Sequence, residues 1–402
     1  MNILIINQYC GSPVHGMEYR HYFLGSEFVK MGHKVQVLSG SYSHLFTASP
    51  QIKDEFTKEK INGIDYVWVK VPRYKRSISI GRVFNMLVFF WKIRKAPKTL
   101  TKPDLIIVSS PSLFPIFNAL KWKKKWGCQV YFEIRDVWPL TLNLLSSLSA
   151  YHPFSVFLSY FETMGYKNAD KVISLLPGTK PHMVSKGMDP GKFTWIPNGI
   201  VLPEDENQLL PTDIKEKLCS DTFKVGYAGG LGRANAVEYL IQAANLLSND
   251  KSIEFILVGN GDEKNNLQQL CKGENVRFMD SLPHYQINGF LKEMDVCFIG
   301  WHKNNLYKLG ISANKIYDYL YAAKPIIHSV EAYNDPIKDA GAGISVPPEA
   351  PESIRDAILE LKNYSSTQRI EMGQKGQEYV LNNFTYKRLA NSYLKEMDNN
   401  EE

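Results

Sequence analysis

The sequence predicts an α/β protein built from two doubly wound, Rossmann-like domains. Short apolar runs alternate with helical patterns in both halves of the 402 residues, and this alternation is typical of parallel sheets covered by helices. The length fits two domains of about 200 residues each. An apolar share of 44% is enough to give each domain a full core.

The first domain begins with a βαβ unit. An apolar strand at 3–6 precedes a loop at 7–16, a helix from about 17 to 31 that ends at Gly32, and a strand at 35–38. Ligands bind such sheets beyond the carboxyl ends of the strands, here near 11–16, although a Gly-x-Gly-x-x-Gly fingerprint is absent from the sequence. Further strands are predicted at 67–71, 105–108, 130–134 and 172–175.

The second domain repeats this alternation. A polar stretch at 203–211 marks the boundary, so we expect domains at 1–199 and 200–382, and a last helix within 383–402 that packs back toward the first domain. The strands at 223–228 and 253–258 each run into a glycine-rich loop, at 229–232 and 259–261. Further strands are predicted at 276–279, 296–299 and 325–328.

Charge is divided unevenly between the two domains. Residues 1–199 hold 26 Lys and Arg against 12 Asp and Glu, whereas the rest holds 21 against 29. A basic domain suggests an anionic partner. The basic residues are mixed with aromatic ones at 82–95 and 114–126, which favours a membrane interface over nucleic acid, for which the sequence has no reader motif. The alternative is a pair of surface helices whose lysines cover core aromatics.

The expected location is the cytoplasm, with peripheral attachment to the inner face of the plasma membrane. Five scattered cysteines without a Cys-x-x-Cys pair indicate a reducing compartment and no zinc site, and the chain opens without the basic segment of a signal peptide. The uncharged run at 137–161 is long enough to span a bilayer. It contains several serines and two prolines, so we expect a helical hairpin at the interface or packed on the domain.

The stretch 308–329 predicts loop, helix, turn and strand. Lys315 and Asp318 fall in the first turns of the helix, where free backbone N–H groups suit a phosphate. Asp318 could then accept the two hydroxyls of a ribose. The alternative is an ordinary amphipathic helix with a solvated lysine and aspartate.

Two further places in the first domain predict chemistry. Arg135 and Asp136 follow the strand at 130–134 and precede a proline, a catalytic position in this architecture, unless they form an ion pair that orders the loop. In the first loop, Gly16 would let the backbone approach a phosphate, with His15 and Arg20 as candidates for the same place. A turn glycine and a solvated histidine are the alternatives.

Seven motifs give the sequence a family resemblance. They lie in order over nearly the whole chain, and together they resemble glycosyltransferase family 4, the retaining nucleotide-sugar transferases of the GT-B fold. The resemblance is closest to the branch that builds bacterial O-antigen or capsule, near the L-fucosamine transferases. The motifs are Gly-His-Lys-Val at 32–35, Arg-Asp-Val-Trp-Pro at 135–139, Ala-Asp-Lys-Val at 169–172, Ile-Pro-Asn-Gly at 196–199, Tyr-Ala-Gly-Gly-Leu-Gly at 227–232, Leu-Val-Gly-Asn-Gly at 257–261 and the stretch 312–325.

The resemblance implies two domains that face each other across a cleft. It also assigns the two acidic residues of the family signature: the ribose-binding one falls on Asp318, and the one that contacts the donor sugar falls on Gly310, where the carboxylate is absent. The histidine that many members place after the fifth strand falls on Arg135. Its loss would suit a 6-deoxy sugar.

The family's diphosphate-binding Arg and Lys fall near Gly230 and Asn235, so both are lost here. Arg233 and Lys315 are the nearby cations that could replace them, helped by the amides of 229–232 at the start of the following helix. The donor-binding set expected on this basis is Gly16, Gly229, Gly230, Gly232, Arg233, Gly259, Asn260, Ser312, Asn314, Lys315 and Asp318, and the catalytic set is Asp136, Arg135 and His15.

The implied reaction transfers a sugar from a nucleoside diphosphate, most commonly UDP, to a polyprenyl-diphosphate-linked glycan. The sequence has no Asp-x-Asp, so we expect neither a metal nor another cofactor. Two alternatives remain open. One is a nucleotide-sugar 2-epimerase, and the other is a non-catalytic, membrane-associated partner of another transferase, which the missing carboxylate and histidine would favour.

Overall fold

The computed structural model describes residues 1–17, 19–76, 79–146, 149–203 and 210–398. The chain divides into two compact units, Met1–Pro197 with Tyr386–Glu402 and Asn198–Thr385. Each unit is a doubly wound α/β domain, so the predicted fold class is confirmed. Most of the polar stretch at 203–211, which the sequence suggests as the boundary, lies outside the described residues.

The first unit is built on an eight-stranded sheet with the order β3-β4-β2-β1-β5-β6-β7-β8. Neighbouring strands are parallel except β3 and β4, which form an antiparallel hairpin. The strands are β1 Asn2–Ile6, β2 Lys34–Gly40, β3 Phe56–Ile61, β4 Ile64–Val69, β5 Leu105–Ser109, β6 Gln129–Ile134, β7 Lys171–Ser174 and β8 Phe193–Trp195.

The strand predicted at 67–71 is observed as β4, three residues earlier at its start, and it forms a hairpin with β3, which was not predicted. Its two-residue turn is Asn62-Gly63, and both residues have positive φ, +45° and +84°. An Asn-Gly pair between two strands is the strongest short-range hairpin signal. Because β3 is a charged edge strand with only one of its six residues buried, its apolar pattern is weak and the hairpin is missed.

The described residues of this part of the chain form six α-helices. The helix predicted from about 17 begins at Arg20, because the preceding loop folds back on itself with bridges from Gly16 to Ser12 and to Phe46. The uncharged run at 137–161 forms a short helix and the first half of a longer one. The helices are α1 Arg20–Lys30, α2 Ile80–Ile93, α3 Pro115–Trp126, α4 Leu140–Ser146, α5 Pro153–Asn168 and α6 Lys180–Ser185.

The second unit contains a six-stranded parallel sheet with the order β11-β10-β9-β12-β13-β14. Three predicted strands have the observed bounds, because each is a mainly apolar run, with one charged residue at its second position, that ends at a glycine or a polar turn. The sequence analysis missed β14, which is only four residues long. The strands are β9 Phe223–Ala228, β10 Ile253–Val258, β11 Val276–Met279, β12 Val296–Gly300, β13 Ile326–Ser329 and β14 Gly343–Val346.

The helix predicted to follow Arg233 directly begins at Val237 instead. A 3₁₀ turn, Arg233–Asn235, and the left-handed residue Ala236 (φ +50°) come first. The remaining helices are α7 Thr212–Lys217, α8 Val237–Leu246, α9 Lys264–Leu270, α10 His284–Lys292, α11 Asn314–Tyr321, α12 Pro336–Ala340, α13 Pro351–Asn363, α14 Ser366–Asn383 and α15 Tyr386–Asp398. Among the described residues, no helix is both long and apolar enough to cross a membrane.

The last helix returns to the first unit and joins a buried ionic cluster around Glu133. The guanidinium Nε of Arg20 donates to Glu133 Oε2 at 3.1 Å, His21 Nε2 lies 2.9 Å from Oε1, and the Tyr393 hydroxyl of α15 donates to the same carboxylate. Burial opposes ionisation of Glu133, but Arg20 and His21 hold its pKa well below the usual value. Arg20, a candidate for ligand contact, is instead 3% exposed and joins α1 to β6 and α15.

Replacing Glu133 with alanine should therefore cost about 3–5 kcal/mol of stability, because the guanidinium of Arg20 would stay buried without its carboxylate. Chemical denaturation followed by circular dichroism would measure the change. Asp54→Ala removes an exposed carboxylate from the same unit and should leave stability unchanged within about 0.5 kcal/mol. A loss below 1 kcal/mol for Glu133→Ala would contradict the structural role of the cluster.

Candidate functional site

Two loops meet at the carboxyl ends of β9 and β10. The Gly229 amide donates to the Val258 carbonyl at 3.0 Å, and the Leu231 amide donates to the Asn260 carbonyl at 2.9 Å. Gly259 has φ +154°, and a Cβ built there would lie 1.9 Å from the Gly229 oxygen. The close approach of the two loops therefore requires a glycine at 259.

These contacts correct part of the predicted phosphate site. The sequence suggested that the amides of 229–232 lie at a helix start and face a diphosphate, but those of Gly229 and Leu231 are used within the protein, and α8 begins only at Val237. Of the four amides, those of Gly230 and Gly232 remain as donors without a backbone acceptor in the described part of the chain.

Helix α11 is fixed directly beside this loop by Tyr319. The buried Tyr319 hydroxyl accepts from the Ala228 amide at 2.7 Å and donates to the Ala228 carbonyl at 3.0 Å. The residue before the helix is Ala313, which has no side-chain acceptor to cap it. The Ile316 amide donates to the Ala313 carbonyl at 3.1 Å, and among the described residues no acceptor is found for the amides of Asn314 and Lys315. These two amides are therefore available to an anion.

The side chain of Lys315 places a positive charge beside the start of α11. Its ammonium donates to Asn235 Oδ1 at 2.5 Å and lies 5.0 Å from the ring centre of Trp301 and 5.9 Å from that of Tyr227. Burial lowers the pKa of Lys315 to about 8. Asn235 stands where the family resemblance expects a lysine, so the structure brings a cation to the same place from another element.

The Trp301 ring beneath Lys315 is held by a relay of hydrogen bonds. The indole N–H of Trp301 donates to His328 Nε2 at 2.9 Å, and His328 Nδ1 lies 2.7 Å from Asp335 Oδ1. An indole nitrogen can only donate, so His328 Nε2 is unprotonated and Nδ1 carries the proton toward Asp335. The sequence analysis missed this relay, although Trp301 directly follows β12 at its carboxyl end.

Asp318 lies one helical turn beyond Lys315, at the edge of a pocket of about 270 Å³. Its Oδ2 is 3.3 Å from His284 Nε2, and this hydrogen bond raises the pKa of His284. The pocket has mainly apolar walls, contributed in part by Leu202, Ile287 and Tyr321. Apolar walls with one carboxylate at the edge can take a flat base and accept the hydroxyls of a ribose. His284 was not identified from the sequence.

Arg233 is placed differently from the prediction. Its side chain is exposed and lines a separate pocket of about 230 Å³ together with Glu238 and Glu263. Its carbonyl oxygen lies 2.7 Å from His302 Nε2. The structure thus brings Lys315, and not the guanidinium of Arg233, to the two aromatic rings.

The segment before α11 has a structural task of its own. Ser312 Oγ accepts from the Asn198 amide at 2.8 Å and its carbonyl accepts from Asn198 Nδ2 at 2.6 Å, while Asn314 is exposed at the start of the helix.

Gly310 has φ +113° and ψ 173°, a region open essentially to glycine alone. The carboxylate that the family signature places there is thus incompatible with this backbone.

The first loop of the first unit is tightly packed. His15 is 4% exposed: Nδ1 lies 2.9 Å from Ser12 Oγ, Nε2 lies 3.4 Å from Glu59, and the ring meets Trp68 edge-on at 4.9 Å. Burial lowers the pKa of His15, against the attraction of Glu59. Gly16 has φ +101°, and a Cβ there would lie 2.7 Å from the Thr47 amide. Both residues therefore have a packing role, and a ligand-binding or catalytic role for either stays a prediction.

Arg135 and Asp136 lie just beyond the carboxyl end of β6. The Arg135 amide donates to Ser110 Oγ at 2.9 Å, and the Asp136 carbonyl accepts from the Trp138 amide at 2.9 Å. Asp136 is exposed, whereas Glu133 of the same strand is buried. A catalytic role for this pair stays a prediction.

Comparison with known proteins agrees with this architecture. Residues 14–203 match the model of Glycosyltransferase Family 4, and residues 222–363 match the model of Glycosyl transferases group 1. Each half of the chain therefore matches a glycosyltransferase family model, and the predicted resemblance to the GT-B glycosyltransferases of family 4 is confirmed at this level. No curated protein matches the sequence.

Solved structures share the GT-B fold at low sequence identity. Sucrose-phosphate synthase from Thermosynechococcus elongatus is 16% identical, with 98% of this chain and 97% of that chain covered and a TM-score of 0.70. HepE of Anabaena, solved in complex with UDP and glucose, is 12% identical over 99% and 100% of the two chains, with a TM-score of 0.64. A trehalose-phosphate synthase (UDP-forming) from Burkholderia vietnamiensis is 12% identical over 99% of both chains, with a TM-score of 0.69.

The half-buried ammonium of Lys315 should make stability depend on pH. Its pKa is about 8 in the folded protein and 10.5 for an unperturbed lysine, so the unfolded chain binds more protons between these values. Stability should therefore rise with pH from about 8 to about 10. Denaturation midpoints across pH 7–10 should show this rise in the wild type and a smaller one in Lys315→Met. Lys308→Met, an exposed lysine nearby, should keep the wild-type slope, and equal slopes in all three proteins would contradict the burial of the charge.

Proposed function

We propose that this protein transfers a sugar from a nucleoside-diphosphate sugar to a lipid-linked glycan. The observation that carries the proposal is Lys315, a half-buried ammonium held by Asn235 beside the uncapped start of α11. A cation with a lowered pKa and free amides next to it suits a diphosphate, because the negative charge of the diphosphate would compensate the ammonium for the hydration it loses on burial. Asp318, one turn along the helix, would hold the ribose.

The diphosphate would then be the leaving group. As the bond between the sugar C1 and the phosphate oxygen breaks, charge develops on that oxygen, and Lys315 with the α11 amides stabilises it. The acceptor oxygen forms the new bond to C1, and its proton passes to the leaving phosphate or to Asp136. We propose retention of configuration on the family resemblance, with Arg135 and Asp136 on the sugar side.

UDP is the first nucleotide to test, because the Anabaena structure of similar fold was solved with UDP and glucose. The protein's own cation would neutralise the diphosphate, so the proposed reaction requires no metal. The proposed acceptor is a polyprenyl-diphosphate-linked glycan of O-antigen or capsule synthesis at the cytoplasmic face of the membrane. The support for this pathway is the resemblance of the sequence motifs to that branch of the family.

Loss of the Lys315 ammonium should slow catalysis strongly. Lys315→Met is expected to lower kcat by about 10²–10³, the usual effect of deleting one donor to a developing negative charge. A thermal-shift screen with UDP, GDP and CMP, with EDTA present, measures binding, and release of UDP from donor sugars measures turnover. Lys308→Met is the matched control and should behave as the wild type. Near-normal turnover in Lys315→Met would contradict the proposal, and UDP binding without turnover of any donor would favour a non-catalytic partner.

Affinity for UDP should fall as pH rises through about 8. The diphosphate binds the protonated form of Lys315, so deprotonation of the free protein near its pKa of about 8 competes with binding. Isothermal titration between pH 6.5 and 9.5 should show a break in the pH dependence at about pH 8, above which the affinity for UDP falls about tenfold per pH unit. Lys315→Arg stays protonated throughout this range and should abolish the break. The same break in Lys315→Arg would assign it to another group.

A further inference from the structure

Helix α2 carries an apolar stripe on its outer side. Ile80, Phe84, Leu87 and Trp91 recur at intervals of four, three and four residues, and they are 89%, 58%, 36% and 63% exposed. This spacing puts all four on one side of the helix. The inner side is filled separately by buried residues that include Met86 and Phe89. The outer stripe is thus extra apolar surface that the core does not use.

Helix α5 adds a second group of exposed apolar residues, Val156, Phe157 and Tyr160. The two helices share one aromatic cluster: the ring centre of Phe90 of α2 lies 6.0 Å from that of Phe161 of α5, and Phe161 lies 5.1 Å from Phe114, the residue just before α3. We call the exposed residues of α2 and α5 together the aromatic face.

The segment of chain that carries α2 and α3 is strongly basic, although Glu55 from outside it pairs with Lys92 at 4.0 Å and with Lys95 at 3.4 Å. From Tyr66 to Phe132 the sequence has 14 Lys and Arg and one acidic residue, Asp104. The Arg94 guanidinium lies 4.4 Å from the ring centre of Trp91, and Lys121 Nζ lies 4.3 Å from that of Phe117. The only acidic residue in α2, α3 or α5 is Glu162, which is buried and 2.8 Å from His182.

We propose that the aromatic face is immersed in the interface of an anionic lipid bilayer. Exposed aromatic and aliphatic side chains would enter the boundary between headgroups and acyl chains to a depth of about 5–10 Å, and the surrounding Lys and Arg would bind lipid phosphates. A second copy of the chain fits less well, because it would bring two basic surfaces together. The inference deepens the proposed function, whose acceptor is a lipid, by naming the surface that reaches it.

Vesicle co-sedimentation tests the proposal on the full chain. With vesicles of 30% phosphatidylglycerol in phosphatidylcholine at 50 mM salt, we expect binding that weakens at 500 mM salt and on pure phosphatidylcholine. Phe84→Ser combined with Trp91→Ser should reduce partitioning at least tenfold. The matched control is Tyr333→Ser with Ile370→Ser, two exposed apolar residues of the second unit (63% and 56%), and it should partition as the wild type. Equal partitioning of the two double variants would overturn the proposal.

Two further readouts separate the possible outcomes. Tryptophan emission should shift to the blue when anionic vesicles are added, and Trp91→Phe should reduce that shift while vesicle binding is largely kept. If instead sedimentation equilibrium shows a dimer that Phe84→Ser/Trp91→Ser abolishes, and vesicles are not bound, the face is an interface between two copies and the membrane proposal fails.

Failure of this inference is distinguishable from failure of the proposed function. The Phe84→Ser/Trp91→Ser variant should keep the thermal shift with UDP, since the two changes lie in the first unit and Lys315 lies in the second. Conversely, Lys315→Met should keep vesicle binding. Vesicle binding without a nucleotide shift in the wild type would leave the aromatic face supported and the donor site refuted.

Discussion

The second unit is organised around a lysine ammonium that the protein buries without neutralising it. The described partners of Lys315 are one amide oxygen and two aromatic rings. Each of these is attractive, but none restores the hydration that the charge loses, which is why the pKa falls to about 8. An anion bound beside the ammonium would offset this loss of hydration. The free energy that burial of the charge costs the folded protein would then be recovered as binding free energy.

Holding such a charge in place requires rigid surroundings. Tyr319 fixes α11 to the end of β9 through both of its hydrogen-bonding functions, so the helix cannot slide along the sheet. On the other side, Asp335 sets the tautomer of His328, and His328 sets the orientation of the Trp301 ring. Asp335 also caps α12 through two amides. The ring beneath the ammonium and the helix that carries it are therefore positioned by groups of β9, β13 and the start of α12.

Sequence reasoning identified the features that depend on local pattern. The buried parallel strands are mainly apolar runs, and Lys315 and Asp318 could be placed because both lie on one predicted helix. The missed features depend on partners far along the chain. Asn235 is 80 residues from Lys315, and Glu133 meets Arg20 and Tyr393 across 113 and 260 residues. The Gly229 and Leu231 amides were assigned to a phosphate for the same reason, since their carbonyl partners lie on the next strand and its loop. No spacing rule predicts such contacts.

Gly310 shows how backbone conformation and side-chain chemistry compete at one position. The family signature calls for a carboxylate there, but with φ +113° and ψ 173° the chain admits essentially only glycine. The Asn334 side chain holds this conformation from the next residue, since it accepts from the Ile311 amide and donates to the Ile311 carbonyl. Substituting a glutamate at 310 alone would strain this loop and disturb the start of α11. In the proposed reaction, recognition of the sugar would therefore have to come from groups other than a carboxylate at 310.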